Sequence, residues 1–301
     1  MTVGQDGTGA YSYQNQTDGK TDNVYVDQDT QNNGQIIITQ AEGTKTDNTV
    51  TVEEDVTNDK GKRDVDIILD GVNVDTSDTS TQTDTPTEVP ADAKEDKTII
   101  KVGEGAKVDL TVKDSNLTTG GNGIDIGVNL KGEDENKGAN VDLTLDNTKV
   151  NLTQNGKAGI NVQDNSDVNL TLKGENAIDG SKAIENEDLK KNVNVEGIRV
   201  GGGGAGDGSG ASEGAKTHLT ISGGVEKTET AEADTEETES PAGGSLTISK
   251  TTGGLVMADG SDVEITDGAD VTIEDTKTSS STQAGRAVTQ HGDLTLSGGS
   301  S

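Results

Sequence analysis

Carboxylates return in this sequence at intervals that invite chemistry. Asp109 in "VDLTV" (108–112) and Asp142 in "VDLTL" (141–145) fill the same slot of two near-identical pentapeptides, as do Asp270 in "DVTI" (270–273) and Asp293 in "DLTL" (293–296). Stacked as neighbouring strands, each pair would stand about 5 Å apart. Two unit charges at that separation repel by roughly 0.8 kcal/mol even at the dielectric of water. A hard cation removes the repulsion, and calcium suits because it takes carboxylate and carbonyl oxygens in flexible geometry. The turn clusters "QDNSD" (163–167), with Asp164, Asn165 and Asp167, and "ADGSD" (258–262), with Asp259 and Asp262, offer more oxygen of the same kind. Calcium is therefore the expected cofactor, on Asp109, Asp142, Asp270, Asp293, Asp164 and Asp167, although no segment spells a full EF-hand loop.

Other chemistry is thinly supplied. Carboxylates at this spacing also suit a retaining glycosidase, but 55 acidic residues produce such pairs by coincidence on any stack of strands. A uronate lyase needs a base beside a metal, and the arginines are only Arg63, Arg199 and Arg286. Arg199, in "GIRV" (197–200), is pointed outward by alternation, in one column with Asp125 and Asn161. It is the best candidate for contact with a sugar or a carboxylate. Arg286, in "GRAV" (285–288), takes a slot where sister motifs carry Ile or Leu; either the register shifts there or the motif is not a true copy. His218 and His291 are far apart, without ligand spacing, and read as surface residues. Tyr11 and Tyr13 in "AYSYQ" (10–14) would share one face of a strand, with Tyr25 close by. They form either a sugar-stacking platform or a cap over the first coil. No catalytic set is expected, and the chain is read as a non-enzyme.

These residues need a scaffold, and composition limits its kind. The chain has 301 residues, a formal charge of −31, 27% hydrophobic residues, 41 Gly, and neither Cys, Trp nor Phe. Such values border on disorder. Its apolar residues, however, are Val, Ile and Leu in alternating clusters that recur. The charge argues against nucleic acid and anionic membranes as partners and favours a soluble monomer. Absence of Cys excludes a disulfide framework. No run reaches the ~18–20 apolar residues of a membrane span. The opening "MTVGQDGTGAYSYQ" has no signal-peptide texture. Because "GDLTLSGGSS" (292–301) still looks like a repeat, the chain is expected to be part of a longer exported protein.

The scaffold follows from internal repetition. The pentapeptide recurs as "VDIIL" (65–69), "VDLTV" (108–112), "VDLTL" (141–145) and "VNLTL" (168–172), then as "HLTI" (218–221), "SLTI" (245–248), "DVTI" and "DLTL". Leu143 to Leu170 is 27 residues, Leu219 to Leu246 is 27, Leu246 to Val271 is 25 and Val271 to Leu294 is 23. A second motif runs "GIDI" (123–126), "GINV" (159–162), "GIRV" and "GLVM" (254–257). Strict alternation makes short strands with one buried face, which bury it only by stacking on their own copies. The expected fold is an all-β parallel β-helix (β-solenoid) of about ten coils, a rod of roughly 45–50 Å. Aliphatic columns would fill it, with φ > 0 corners at the glycines that open the second motif. Outside would run a threonine column, Thr111, Thr144, Thr171, Thr220, Thr247, Thr272 and Thr295. Residues 1–48 are expected to form an N-terminal cap and first strands, and 49–301 the helix, with insertions at about 76–97, 182–192, 201–215 and 225–244. Pro86, Pro90 and Pro241 all lie in insertions, where no ladder N–H is lost; a short helix is expected over 183–192.

The texture of "VDLTLDNTKVNL", "GINV", "DVNLTLKGENAI", "GIRVGGG" and "LTISGG" resembles the carbohydrate-binding β-helix proteins exported by Gram-positive gut and cellulolytic bacteria. The resemblance covers roughly 49–301. It implies a right-handed β-helix related in shape to pectate lyases, binding plant polysaccharides, in some cases with calcium. Beyond Tyr25 this sequence has no aromatic side chain, so neutral glycans find little to stack on. An acidic polysaccharide such as polygalacturonate would be repelled unless calcium bridged the two sets of carboxylates. The expected function is adhesion to polysaccharide or host glycoprotein by an extracellular module, cell-surface or cell-wall anchored, assisted by calcium. A structural stalk without a ligand is the alternative, and a polysaccharide lyase or hydrolase the third choice.

Overall fold

A computed structural model describes residues 2–6, 12–13, 24–26, 35–40, 42–56, 65–77, 97–132, 137–185, 194–202, 215–224, 243–276 and 285–300 of the chain. Alternating aliphatic and polar residues form strands with one apolar face, and these stack into a parallel β-helix of three sheets.

Sheet A carries the pentapeptides. Along the axis it comprises Thr2–Asp6, Gln35–Thr39, Val65–Asp70, Lys107–Lys113, Asn140–Asp146, Asp167–Lys173, Thr217–Gly223, Ser261–Thr266 and Asp293–Leu296. Sheet B carries the second motif: Ser12–Tyr13, Val24–Val26, Val50–Val52, Ile100–Gly103, Ile124–Val128, Lys157–Val162, Val195–Val200, Gly253–Met257 and Arg286–Gln290. Sheet C is shorter: Asn73–Asp75, Asn116–Thr119, Lys149–Leu152, Glu175–Asp179, Ser245–Ser249 and Asp270–Glu274. The first strands of sheets A and B pair antiparallel, at the N-terminal end of the stack. Of the nine strands in each of these sheets, eight are therefore parallel rungs, spanning about 35 Å at ~4.8 Å per rung. These are the rungs of the described residues, against an expected total of about ten coils. One coil runs A to C to B, as in Lys107–Lys113, Asn116–Thr119 and Ile124–Val128.

Inward residues form aliphatic files. Leu110, Leu143, Leu170 and Ile221 stack in sheet A, and Ile100, Ile124, Ile160, Ile198 and Leu255 in sheet B. Leu117, Val150, Ile178, Ile248 and Ile273 do so in sheet C. The three files meet in one core, aliphatic among the described residues. Each buried Leu or Ile contributes roughly 1.5–3 kcal/mol relative to exposure.

Two expected alignments are corrected. "SLTI" and "DVTI" belong to sheet C, where Leu246 pairs with Val271. The strand above Leu219 in sheet A is Ser261–Thr266, with Leu219 opposite Val263. The interval of 27 from Leu219 to Leu246 thus crosses a corner within one coil. Both sheets show the core the same aliphatic alternation, so pattern alone does not tell them apart.

The corners are also made differently from expectation. Gly159, Gly197 and Gly254 are not among the residues with positive φ. They are glycines because a Cβ at Gly197 would collide with the Ile248 side chain and the Gly254 carbonyl. Left-handed backbone occurs instead at the A-to-C corner, at Asp114 (φ 47°), Asn147 (φ 50°) and Gly174 (φ 60°), residue types that tolerate it. A short helix, Ser181–Glu185, follows sheet C in one coil and buries Ala183; the rest of the expected helix lies outside the described residues. Most of each expected insertion does too.

Candidate functional site

Parity along sheet A sends every second side chain to its outer face. One file there is Asp66, Asp109, Asp142, Asn169, Thr220, Glu264 and Thr295. Beside it stand Thr111, Thr144, Thr171, Ser222 and Thr266. Asp109, Asp142 and Asn169 are exposed. Asn169 Nδ2 donates to Asp142 Oδ1 at 2.7 Å, which answers part of the carboxylate's charge. A flanking file, Asp70, Lys113, Asp146 and Lys173, mixes signs, with Lys113 Nζ 3.7 Å from Asp70 Oδ2.

Asp109 and Asp142 are neighbours, as expected. Asp270 and Asp293 are not: Asp270 opens a sheet C strand opposite Ser245, whereas Asp293 pairs with Asp262 in sheet A. His218 is the next residue in that column, its Nδ1 3.4 Å from Asp262 Oδ2. The expected threonine column breaks at the same place, since Thr220 follows Asn169, and Thr247 and Thr272 lie in sheet C. Asp164 and Asp167 do not share a site. Asp164 is buried and accepts a hydrogen bond from Gly202 N at 2.6 Å; Asp167 is exposed, between Asn140 and His218. Among the described residues no three His, Cys, Asp or Glu converge as a metal cluster. Calcium takes six to eight oxygens. Asp109 and Asp142 can serve as one wall of such a site, which a ligand's oxygens and water would have to complete.

Sheet B repeats the geometry with a different outcome. Its outer file is Thr51, Lys101, Asp125, Asn161, Arg199, Val256 and Thr289. Arg199 thus stands in the expected column, yet Asp125, Asn161 and Arg199 are only 7%, 3% and 5% exposed. Arg199 Nε donates to Glu196, a wholly buried carboxylate that also accepts from Asn194 Nδ2 at 3.1 Å. Asp125 accepts from Asn122 and Asn161 at 2.8 Å each and from Gln163 at 3.0 Å. Among the described residues Arg199 Nη2 and Asn161 Oδ1 have no hydrogen-bond partner. Sequence reasoning passed over Glu196, although an acid three residues before Arg199 was a usable cue.

The remaining expected residues fall as follows. In "GRAV" the register is displaced: Val288 takes the slot of Leu255, and Arg286 lies opposite Gly253 and is exposed. Tyr13 is in the strand that adds antiparallel to Val24–Val26, the place of a cap. Tyr11 lies outside the described residues.

One acidic corner has split titration. Burial alone would raise the Glu54 carboxyl, but the Leu130 and Lys131 amides, donating at 2.6 and 2.8 Å, and the Lys131 ammonium hold it below its ordinary value. Glu104 is pushed above its ordinary value by burial and by the charges of Glu54 and Asp55, against a hydrogen bond from Lys137 N.

No protein-family model, curated protein or solved structure matches this chain.

Proposed function

We propose that the chain is an adhesive module of a cell surface, which holds acidic polysaccharide against the outer face of sheet A with calcium between them. The observation that supports this reading most is the continuity of that face. One file from Asp66 to Thr295 and a second from Thr111 to Thr266 keep register and present carboxylate, amide and hydroxyl groups. A linear polymer needs a long, regular surface of this kind, and one hydroxyl or carboxylate every ~4.8 Å suits a chain of sugar rings. Asp109 and Asp142 would repel an acidic polymer unless a cation intervened. A calcium ion that takes two oxygens from them and the rest from polymer and water reverses the sign of the contact. A stalk without a ligand is the second reading, favoured by the threonines, which are good exposed strand formers whatever they touch.

The test is retention on immobilised polygalacturonate, cellulose and a mucin-type glycoprotein, with calcium or with chelator. Calcium-dependent retention on polygalacturonate, lost in the Asp109→Asn/Asp142→Asn variant, is the expected result. Retention on nothing favours the stalk. Release of unsaturated uronates would replace adhesion by a lyase.

A further inference from the structure

We propose that Asn155 is a site of spontaneous modification, deamidation through a cyclic imide closed by Gly156, and that the fold directs the reaction there rather than to Asn122. The inference does not rest on the polysaccharide reading.

Two Asn-Gly pairs lie among the described residues, Asn122–Gly123 and Asn155–Gly156; a third, Asn33–Gly34, lies outside them. In such a pair the glycine nitrogen is the nucleophile, and the missing Cβ leaves its approach unhindered. Hydroxide removes the N–H proton and the nitrogen attacks the asparagine Cγ. The N–Cγ bond forms, the Cγ–Nδ2 bond breaks, and the amide leaves as ammonia with a proton from water. A second water opens the imide at either carbonyl, giving aspartate or isoaspartate. Nothing is oxidised or reduced, and water is the only co-reactant.

Backbone bonding does not separate the two pairs, because it is alike in both. Gly123 N donates to Ala158 O at 3.0 Å, and Ala158 N donates to Asn122 Oδ1 at 2.9 Å. Gly156 N donates to Asn194 O at 2.6 Å, and Asn194 N donates to Asn155 Oδ1. In each case the glycine N–H must open before it can react. Surroundings make the difference. Asn122 is 7% exposed and its Nδ2 is held by Asp125 at 2.8 Å. Gly123 is buried where even a Cβ would strike the Gly159 carbonyl. Asn155 is exposed, and Gly156, with φ 75°, is half-buried in the turn between Lys149–Leu152 of sheet C and Lys157–Val162 of sheet B. An exposed turn opens at lower cost than a buried rung, and water already stands there.

The position gives the change a consequence. Asn194 also donates through Nδ2 to Glu196 Oε1 at 3.1 Å and accepts from Thr252 Oγ1 at 3.0 Å. Isoaspartate at 155 adds a carbon to the main chain and draws Gly156 N away from Asn194 O. Conversion thus slackens one anchor of a residue that helps satisfy the buried Glu196 carboxylate.

The test ages the full wild-type chain at mildly alkaline pH, folded in one arm and in concentrated urea in the other. Peptide mapping by mass spectrometry follows both sites. The folded chain should convert Asn155 about tenfold or more faster than Asn122. Urea should bring the two rates together, since the fold makes the choice. Equal rates in the folded chain, or a folded Asn155 that stays intact while the urea arm converts it, overturns the proposal. The converted fraction should also melt below the parent, whereas Asn155→Gln aged in parallel should keep its midpoint. An unchanged midpoint in the converted fraction overturns the link to Glu196.

Discussion

The outer faces of sheets A and B have the same parity, the same rung spacing and the same aliphatic backing, yet opposite fates. On sheet A the file of Asp109, Asp142 and Asn169 stands in water. On sheet B the file of Asp125, Asn161 and Arg199 is buried and tied into hydrogen bonds. Alternation decides which side of a strand a residue faces. It does not decide whether water reaches that side. The same residue types are consequently solvated, weakly coupled charges on one face and a stiff network on the other.

The sharpest way to break this contrast is to remove one charge from each face. Arg199→Ala would leave Glu196 buried without its cation, a change that costs about 3–5 kcal/mol. Asp142→Asn on sheet A should stay within about 0.5 kcal/mol of the parent. Urea unfolding of the two variants measures both; equal effects would mean that the faces do not differ. Next in size is the shared core. Leu143→Ala should cost about 2–5 kcal/mol, in a single transition that abolishes the protection of sheet A and sheet B amides together. Separate transitions would show that the sheets do not share one core.

Calcium offers a smaller, one-sided effect. An ion held only by the folded state raises the melting midpoint. The parent should therefore melt higher in calcium with polygalacturonate than with chelator. The Asp109→Asn/Asp142→Asn variant should show no such rise, and Arg199→Lys should keep it. The smallest effect concerns Glu104. A carboxyl whose folded value is raised destabilises the ionised folded state, so its penalty is absent at low pH and grows as pH rises through and above the ordinary glutamate value of about 4.3. Glu104→Gln should therefore melt higher than the parent at pH 7, with the gap closing below about pH 4. A gap that widens on acidification would contradict the raised value. Glu54 and Asp75, whose carboxyls are lowered, act in the opposite sense and lose stability as pH falls.

The contrast also explains how much was legible beforehand. Strand alternation, parallel stacking, the Asp109–Asp142 pair and the column of Asp125, Asn161 and Arg199 all follow from period and spacing, because each is a matter of parity. The turn cluster "ADGSD" (258–262) overlaps the start of the strand Ser261–Thr266, whose remainder is not singled out by the pattern, and "SLTI" reads as a copy of the pentapeptide. The usable cue was distance to the next "GLVM"-type motif, since Leu246 precedes Leu255 by 9 residues whereas Leu143 precedes Ile160 by 17. The glycines of the second motif were assigned to turns, although their function is to let Ile248 and its neighbours approach. That is a contact between sheets and has no signature within one strand. The burial of Arg199 was out of reach for a similar reason, being set by what packs on the far side of the sheet.

Register is the premise on which both faces depend, and pyrene excimer fluorescence tests it directly in a chain with no native cysteine. Labels on Thr144→Cys/Thr171→Cys and on Thr220→Cys/Glu264→Cys should give strong excimer emission, since each pair sits on adjacent rungs of sheet A. Labels on Thr220→Cys/Thr247→Cys should give monomer emission only, because these residues are on different sheets. Excimer emission from Thr220 with Thr247, and none from Thr220 with Glu264, would contradict the stacking order and remove both surfaces with it.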